Sequence, residues 1–126
     1  MQIKIDTKEK FTILTPILPE LTAIFAAEIV EICLLQLQKE VKNIILSFQF
    51  VTVLDEPAAE ILGNLQQQFY EQNASFVICS LLPSIESFLE KIELLEMLNV
   101  TPTESEAWDI VQMEEIEREF LDGENQ

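Results

Sequence analysis

The chain has 126 residues, 48% of them hydrophobic, which fits one domain with a modest core. It contains no histidine and only two glycines, so it lacks the commonest general base and cannot build a glycine-rich phosphate loop. A net charge of −16 disfavours binding to nucleic acid or to anionic membranes, and it favours either solubility alone or docking to a basic partner.

The first residues alternate and carry charge, unlike a signal peptide, and no apolar run is long enough to span a bilayer. Cys33 and Cys79 lie inside apolar runs, which is typical of buried free thiols in a reducing compartment. We therefore expect a cytoplasmic protein that does not insert into membranes.

Two strands and a helix are predicted at the amino-terminal end. Gln2–Asp6 alternates apolar and polar residues, and Phe11–Ile17 is rich in β-branched and aromatic residues. The polar turn Lys8–Lys10 between them predicts a hairpin. Thr22 is a candidate N-cap for a helix over Ala23–Lys39.

The middle of the chain predicts a strand, a helix and a second strand. Ile44–Leu54 is an almost continuous apolar run, which predicts one strand covered on both faces. Asp55 can cap the next helix, which has Pro57 in its first turn and runs to about Glu71. Ser75–Ser80 predicts another buried strand.

The remaining third predicts a helix from Pro83, an edge strand or loop at Val100–Thr103, and a last helix over Ser105–Leu121. The candidate buried residues of that last helix are Trp108, Val111, Met113, Ile116 and Phe120. Alternatively, this acidic helix forms a homodimer or binds a partner helix. The alternation of strands and helices predicts a single α/β domain over residues 1–121, followed by a frayed tail at 122–126.

The strand, turn and helix around Asp55 resemble the switch loop of STAS domains, the family of bacterial anti-sigma factor antagonists. Val51–Asp55 (VTVLD) is similar to the family's V-T-F-I-D, and Ile44–Phe48 (IILSF) to its V-V-L-D-L. In the loop Pro19–Thr22, Leu21 alone follows the family's G-x-L/I-D.

Later segments are also similar to the family. Leu81–Ile85 (LLPSI), Ile92–Leu94 and Glu106-Ala107 follow its x-L-x-P-x-V, x-G-L and E-A spacing, with Glu93 where glycine is common. The resemblance covers about residues 11–108. It implies a STAS-like sheet of four to five strands in mixed orientation, with helices packed mainly on one face.

In the family, a partner kinase phosphorylates the second serine of a D-S-S-G turn. Here the turn reads Asp55-Glu56-Pro57-Ala58, so Pro57 occupies that serine's position and the resemblance implies no phosphorylation there. Glu56 has two interpretations: a partial mimic of phosphoserine, or an ordinary helix start, where acids and proline are both favoured.

The resemblance implies a non-catalytic module that binds an anti-sigma factor or a related serine kinase-like protein. The expected partner-binding residues are Asp55, Glu56, Pro57, Ala58, Ala59 and Leu62 of the switch loop, with Pro19, Glu20, Leu21 and Thr22 of the neighbouring loop. Apolar contact would come from Ala58, Ala59 and Leu62 if their side chains are exposed.

Two other functions remain open at this point: an accessory subunit of a transporter or ATPase complex, which needs no switch, and a small-ligand sensor. The acidic composition and the missing phosphate cradle argue against a nucleotide ligand. Acids at Glu20, Asp55, Glu56 and Glu60 could cluster, but no nucleophile-base pair and no calcium-loop motif is present. We therefore predict no catalysis, no metal site and no cofactor.

Overall fold

A computed structural model describes the backbone of residues 1–124 and the side chains of residues 1–121. The elements are β1 (Ile3–Thr7), β2 (Phe11–Pro16), β3 (Glu20–Leu21), α1 (Ala23–Gln36), β4 (Asn43–Ser47), β5 (Val53–Leu54), α2 (Glu56–Glu71), β6 (Phe76–Cys79), α3 (Pro83–Lys91), β7 (Val100–Thr101) and α4 (Glu104–Glu124). The last helix thus continues past its predicted end, and residues 125–126 of the predicted frayed tail lie outside the described residues.

The main sheet has five strands in the order β1-β2-β4-β6-β7. The pair β1–β2 is antiparallel, and the other three pairs are parallel. The predicted hairpin forms because its turn is closed by a hydrogen bond from the Lys8 amide to the Phe11 carbonyl, 2.8 Å. The predicted mixed sheet is confirmed, and Val100–Thr101 is one of its two edge strands.

Side chains alternate between the two faces of the sheet along each strand. Helices cover the two faces unequally. Leu14, Ile44 and Ile78 point to the side covered by α1, α2 and α3, which forms the larger core. Ile13 and Val77 point to the opposite side, covered by α4. The prediction of helices mainly on one face is therefore confirmed.

The prediction of one long strand over Ile44–Leu54 is wrong. The strand β4 ends at Ser47, and the chain turns with a hydrogen bond from the Val51 amide to the Phe48 carbonyl, 3.0 Å, before β5 begins. Phe48 and Val51 are buried inside the turn, so the apolar run continues where the strand does not. Burial in a turn produces the same local pattern as burial in a strand.

The predicted buried stripe of α4 is also mostly wrong. Of its five residues only Val111 is buried, while Met113, Ile116 and Phe120 are 54%, 65% and 65% exposed. Trp108 is partly exposed and rests on Phe11, with ring centroids 4.9 Å apart. The helix has apolar residues on more than one side, and only one side can face the sheet.

Candidate functional site

The two loops that the sequence predicts for partner binding lie side by side. Strands β3 and β5 pair in parallel outside the main sheet, with Glu20 opposite Val53 and Leu21 opposite Leu54. Each short strand leads directly into a helix, β3 into α1 and β5 into α2. Both helix starts therefore lie at the edge where β2 and β4 end, which we call the carboxyl edge.

Main-chain hydrogen bonds lock these loops together. The Pro19 carbonyl accepts from the Thr52 amide at 2.7 Å, from the Val53 amide at 3.0 Å and from the Thr52 hydroxyl at 3.1 Å. The Asp55 amide donates to the Leu21 carbonyl at 3.3 Å. The turn before α2 is therefore held in place by the loop before α1. Because these loops are already ordered, binding of a partner costs little conformational entropy.

Asp55 caps α2, as the sequence predicts. Its carboxylate accepts from the Ala58 amide at 2.8 Å, which satisfies one of the free donors at the helix start. Glu56 and Pro57 follow in the exposed first turn, where the negative charge and the missing amide are both well accommodated. Thr22 is the N-cap residue of α1, as predicted, but its side chain makes no capping hydrogen bond.

Part of the predicted contact set is unavailable. Ala58, Ala59 and Leu62 are fully buried in the larger core, as is Leu21 of the neighbouring loop. The first three were expected to supply apolar contacts if their side chains were exposed, and that condition is not met. Their spacing along α2 places them on the side that packs inward, where α1 and α2 meet.

Other apolar residues are exposed at this edge instead, and they were not among the predicted contact residues. Val53 is 52% exposed, Phe50 in the preceding turn is 46% exposed, and Ile24 in the first turn of α1 is 74% exposed. Alternation could have identified Val53, because Leu54 beside it points inward. We call Glu20, Ile24, Phe50, Val53, Glu56 and Pro57, all exposed, the loop surface.

The loop surface carries acidic residues, and no basic residue is close to them in the sequence. No lysine or arginine occurs between residues 11 and 38 or between residues 43 and 90. Glu20 and Glu56 belong to this surface, and Glu60, one turn further along α2, is also exposed. The surface is therefore apolar with an acidic surround, which suits a partner that is apolar at the centre and basic at the rim.

The opposite edge of the sheet, where β2, β4 and β6 begin, is the amino edge, and it is organised around Asn43. The Asn43 amide nitrogen donates to the Lys10 carbonyl at 2.9 Å and to the Glu115 carboxylate at 2.7 Å. Its oxygen accepts from the Ser75 amide at 2.8 Å and from the Arg118 guanidinium at 3.4 Å. These bonds join β4 to the residues just before β2 and β6 and to α4.

An open groove of about 890 Å³ lies at the amino edge. Its charged lining residues are Lys8, Glu9, Lys10, Glu40, Lys42, Glu115, Arg118 and Glu119. Four cations and four carboxylates cancel, so the groove offers no strong field to an anion or a cation. Its size alone does not make it a binding site.

Candidates for nucleophilic and metal-binding chemistry among the described side chains include two thiols and the carboxylates. Burial raises the pKa of the Cys33 thiol to about 12, and burial also raises the pKa of Cys79, opposed by hydrogen bonds with Ser80 and Ser47. Both thiols are therefore protonated at neutral pH and are poor nucleophiles. Within residues 1–121, no three acidic or thiol side chains come together as a metal site would require.

Among the helices of residues 1–124, none has both the length and the apolar character to cross a bilayer.

The sequence model of the STAS domain matches residues 2–107. The chain belongs to the STAS domain family. None of the curated proteins compared with the chain matches it. The family resemblance inferred from the motifs around Asp55 is confirmed.

Solved structures agree. A protein assigned as an anti-sigma factor antagonist from Thermotoga maritima superposes with a TM-score of 0.76 at 21% identity, covering 87% of this chain and 94% of that one. A STAS domain protein from Planctomyces limnophilus gives 0.73 at 18% identity, covering 87% and 97%. The murine anion transporter Slc26a9 gives 0.67 at 13% identity, covering 82% of this chain and 18% of that one. At these identities the likeness shows the fold.

Proposed function

We propose that this STAS domain is a non-catalytic module that binds an anti-sigma factor or a related regulatory serine kinase through the loop surface. The observation that supports it most is the arrangement of this surface. Exposed Val53 lies opposite Glu20 across the β3–β5 pair, and exposed Ile24 and Glu56 lie in the first turns of the two helices that follow. Exposed apolar side chains with acids beside them, on loops that main-chain bonds already order, form a suitable docking surface for a protein partner.

The complex would not be controlled by phosphorylation of the turn. Pro57 is exposed at the position of the family's serine, but it has no hydroxyl to accept a phosphoryl group. Asp55 caps α2, so the helix start does not depend on Glu56. Glu56 therefore presents a fixed single negative charge to the partner, less than the charge that a phosphate adds.

Binding can be tested with the purified anti-sigma factors and serine kinases encoded in the source genome, by titration calorimetry. Val53→Asp and Glu56→Lys should each weaken the complex at least about tenfold, because each places a charge that the partner surface does not match. Leu35→Asp on α1 and Glu90→Lys on α3 are matched controls, exposed and away from the loop surface. Equal losses in the controls, or no binding by any of these partners, would refute the proposal.

The missing switch needs a separate experiment. The wild-type chain, incubated with a binding kinase and ATP, should gain no phosphate on residues 55–58 by mass spectrometry. The double variant Glu56→Ser, Pro57→Ser restores a hydroxyl at the helix start and should be phosphorylated there. Phosphate on another residue of the wild type, with loss of binding, would show that control has moved and not disappeared.

A subunit of a transporter complex is a second candidate. It is favoured by the likeness to one part of the Slc26a9 chain and by the absence of a modifiable hydroxyl in the turn. A fixed subunit has no need of reversible release. Affinity purification from native cells would separate the two candidates, since stable recovery of transporter components with no kinase supports the subunit.

A further inference from the structure

The helix α4 presents an apolar stripe to solvent on the side away from the sheet. Met113, Ile116 and Phe120 are 54%, 65% and 65% exposed. Their spacing of three and four residues places them on one side of the helix. Ala107 and Val111, on another side, are fully buried against the sheet. We call Met113, Ile116 and Phe120 the outer seam.

The outer seam has the spacing of a helix-pairing surface. Steps of three and four residues are those of the a and d positions of a coiled coil, whose flanking positions set the choice of partner. Gln112, Glu117 and Glu119 occupy the flanking positions, and all three are exposed. Both charged flanking side chains are therefore acidic.

The helix offers no positive charge to balance them. Arg118 is the one basic residue in the sequence of α4, and it is turned inward, where it donates to the Ser75 hydroxyl at 3.2 Å and to Asn43. A second copy of the chain would bring the same glutamates to the flanks, together with a second net charge of −16. Charge therefore selects against a homodimer through this seam.

We propose that the outer seam binds an amphipathic helix of another protein, one with an apolar a/d stripe flanked by lysine or arginine. Glu117 and Glu119 would pair with those cations at the rim, and Ile116 and Phe120 would supply the buried contacts. The helix α4, which carries the seam, covers the face of the sheet opposite to α1 and α2. It is therefore distinct from the loop surface, and the inference goes beyond the proposed function.

The test uses a synthetic helical peptide of about three heptads, with leucine at the a and d positions and lysine at the e and g positions. Binding to the full chain is followed by fluorescence anisotropy at about 0.15 M salt, where long-range attraction is screened. Ile116→Gln and Phe120→Gln should each raise the Kd at least about tenfold. Leu35→Gln, a matched control at a residue 65% exposed on α1, should change it less than about twofold.

Three outcomes would overturn the proposal. Equal binding of a peptide with the same composition in scrambled order would mean that net charge alone drives the interaction. Equal binding of a peptide with glutamate in place of lysine would remove the role of the acidic flanks. A wild-type dimer in sedimentation velocity that Ile116→Gln dissociates would assign the seam to a second copy. Met113→Gln serves as an additional seam variant if circular dichroism shows that either of the others has lost its fold.

Discussion

The carboxyl and amino edges of the sheet differ in which groups hold them together. At the carboxyl edge, main-chain bonds accepted by the Pro19 and Leu21 carbonyls and the Asp55 cap fix the loops, and the side chains of the loop surface remain exposed. At the amino edge, the side chains of Asn43 and Arg118 themselves hold the structure. The amino edge has an open groove, but the carboxyl edge has the side chains available for a partner.

The largest effect is expected at the amino edge. In Asn43→Ala the amide of Ser75, a residue 1% exposed, loses its side-chain acceptor, and α4 loses the bond between Glu115 and Asn43. Leaving a buried donor unpaired should lower the free energy of unfolding by about 2–3 kcal/mol, measured by urea denaturation. Asn64→Ala, at an exposed position of α2, is the control. A loss below about 1 kcal/mol in Asn43→Ala would mean that the bonds of Asn43 contribute little to the stability of this edge.

A smaller effect is expected at the carboxyl edge, where two equivalent positions provide their own control. Asp55→Ala removes the bond to the Ala58 amide and should cost about 1 kcal/mol of unfolding free energy. Thr22→Ala removes no capping bond and should cost at most about 0.5 kcal/mol. Equal losses from the two substitutions would show that the cap contributes nothing beyond side-chain packing.

A stabilising change is expected where the chain leaves α3 and returns to the amino edge. Glu93 has a φ of 62°, a left-handed backbone that disfavours a side chain. This accounts for the glycine that STAS domains commonly have there. Glu93→Gly should raise the unfolding free energy by about 0.5–1 kcal/mol, seen as a higher Tm.

Asn73, with a φ of 58°, tests the same explanation with a different residue. Asparagine tolerates the left-handed region, so Asn73→Gly should gain less than Glu93→Gly. The reverse order of the two gains in Tm would contradict an explanation based on backbone strain.

The smallest effect is expected from the ion pair at the amino edge. The Lys10 ammonium lies 3.5 Å from the Glu115 carboxylate, and the lysine side chain is 53% exposed. Lys10→Ala should change the unfolding free energy by less than about 0.5 kcal/mol, because solvent and salt screen such a pair. A loss comparable to that of Asn43→Ala would mean that charge, and not the buried amide, organises this edge.

Part of the site was predictable because the signals are local. Asp55 followed by Glu56 and Pro57 is a helix start whatever surrounds it, and the missing serine is read directly from the sequence. The prediction that the neighbouring loop at Pro19–Thr22 takes part in the site came from the family resemblance. Its bonds to Thr52 and Val53 could not be derived from the sequence, because they join segments about thirty residues apart.

The sequence by itself determined the α/β class, the helix starts and the family, because periodicity, capping and motif order are properties of neighbouring residues. Tertiary structure decided which apolar residues are inside. In the folded chain β4 ends at Ser47, the side chains of Ala58, Ala59 and Leu62 are buried, and Val53 and the outer seam are exposed. An apolar pattern shows that a side can be buried, and only the packing of distant elements decides whether that side is covered.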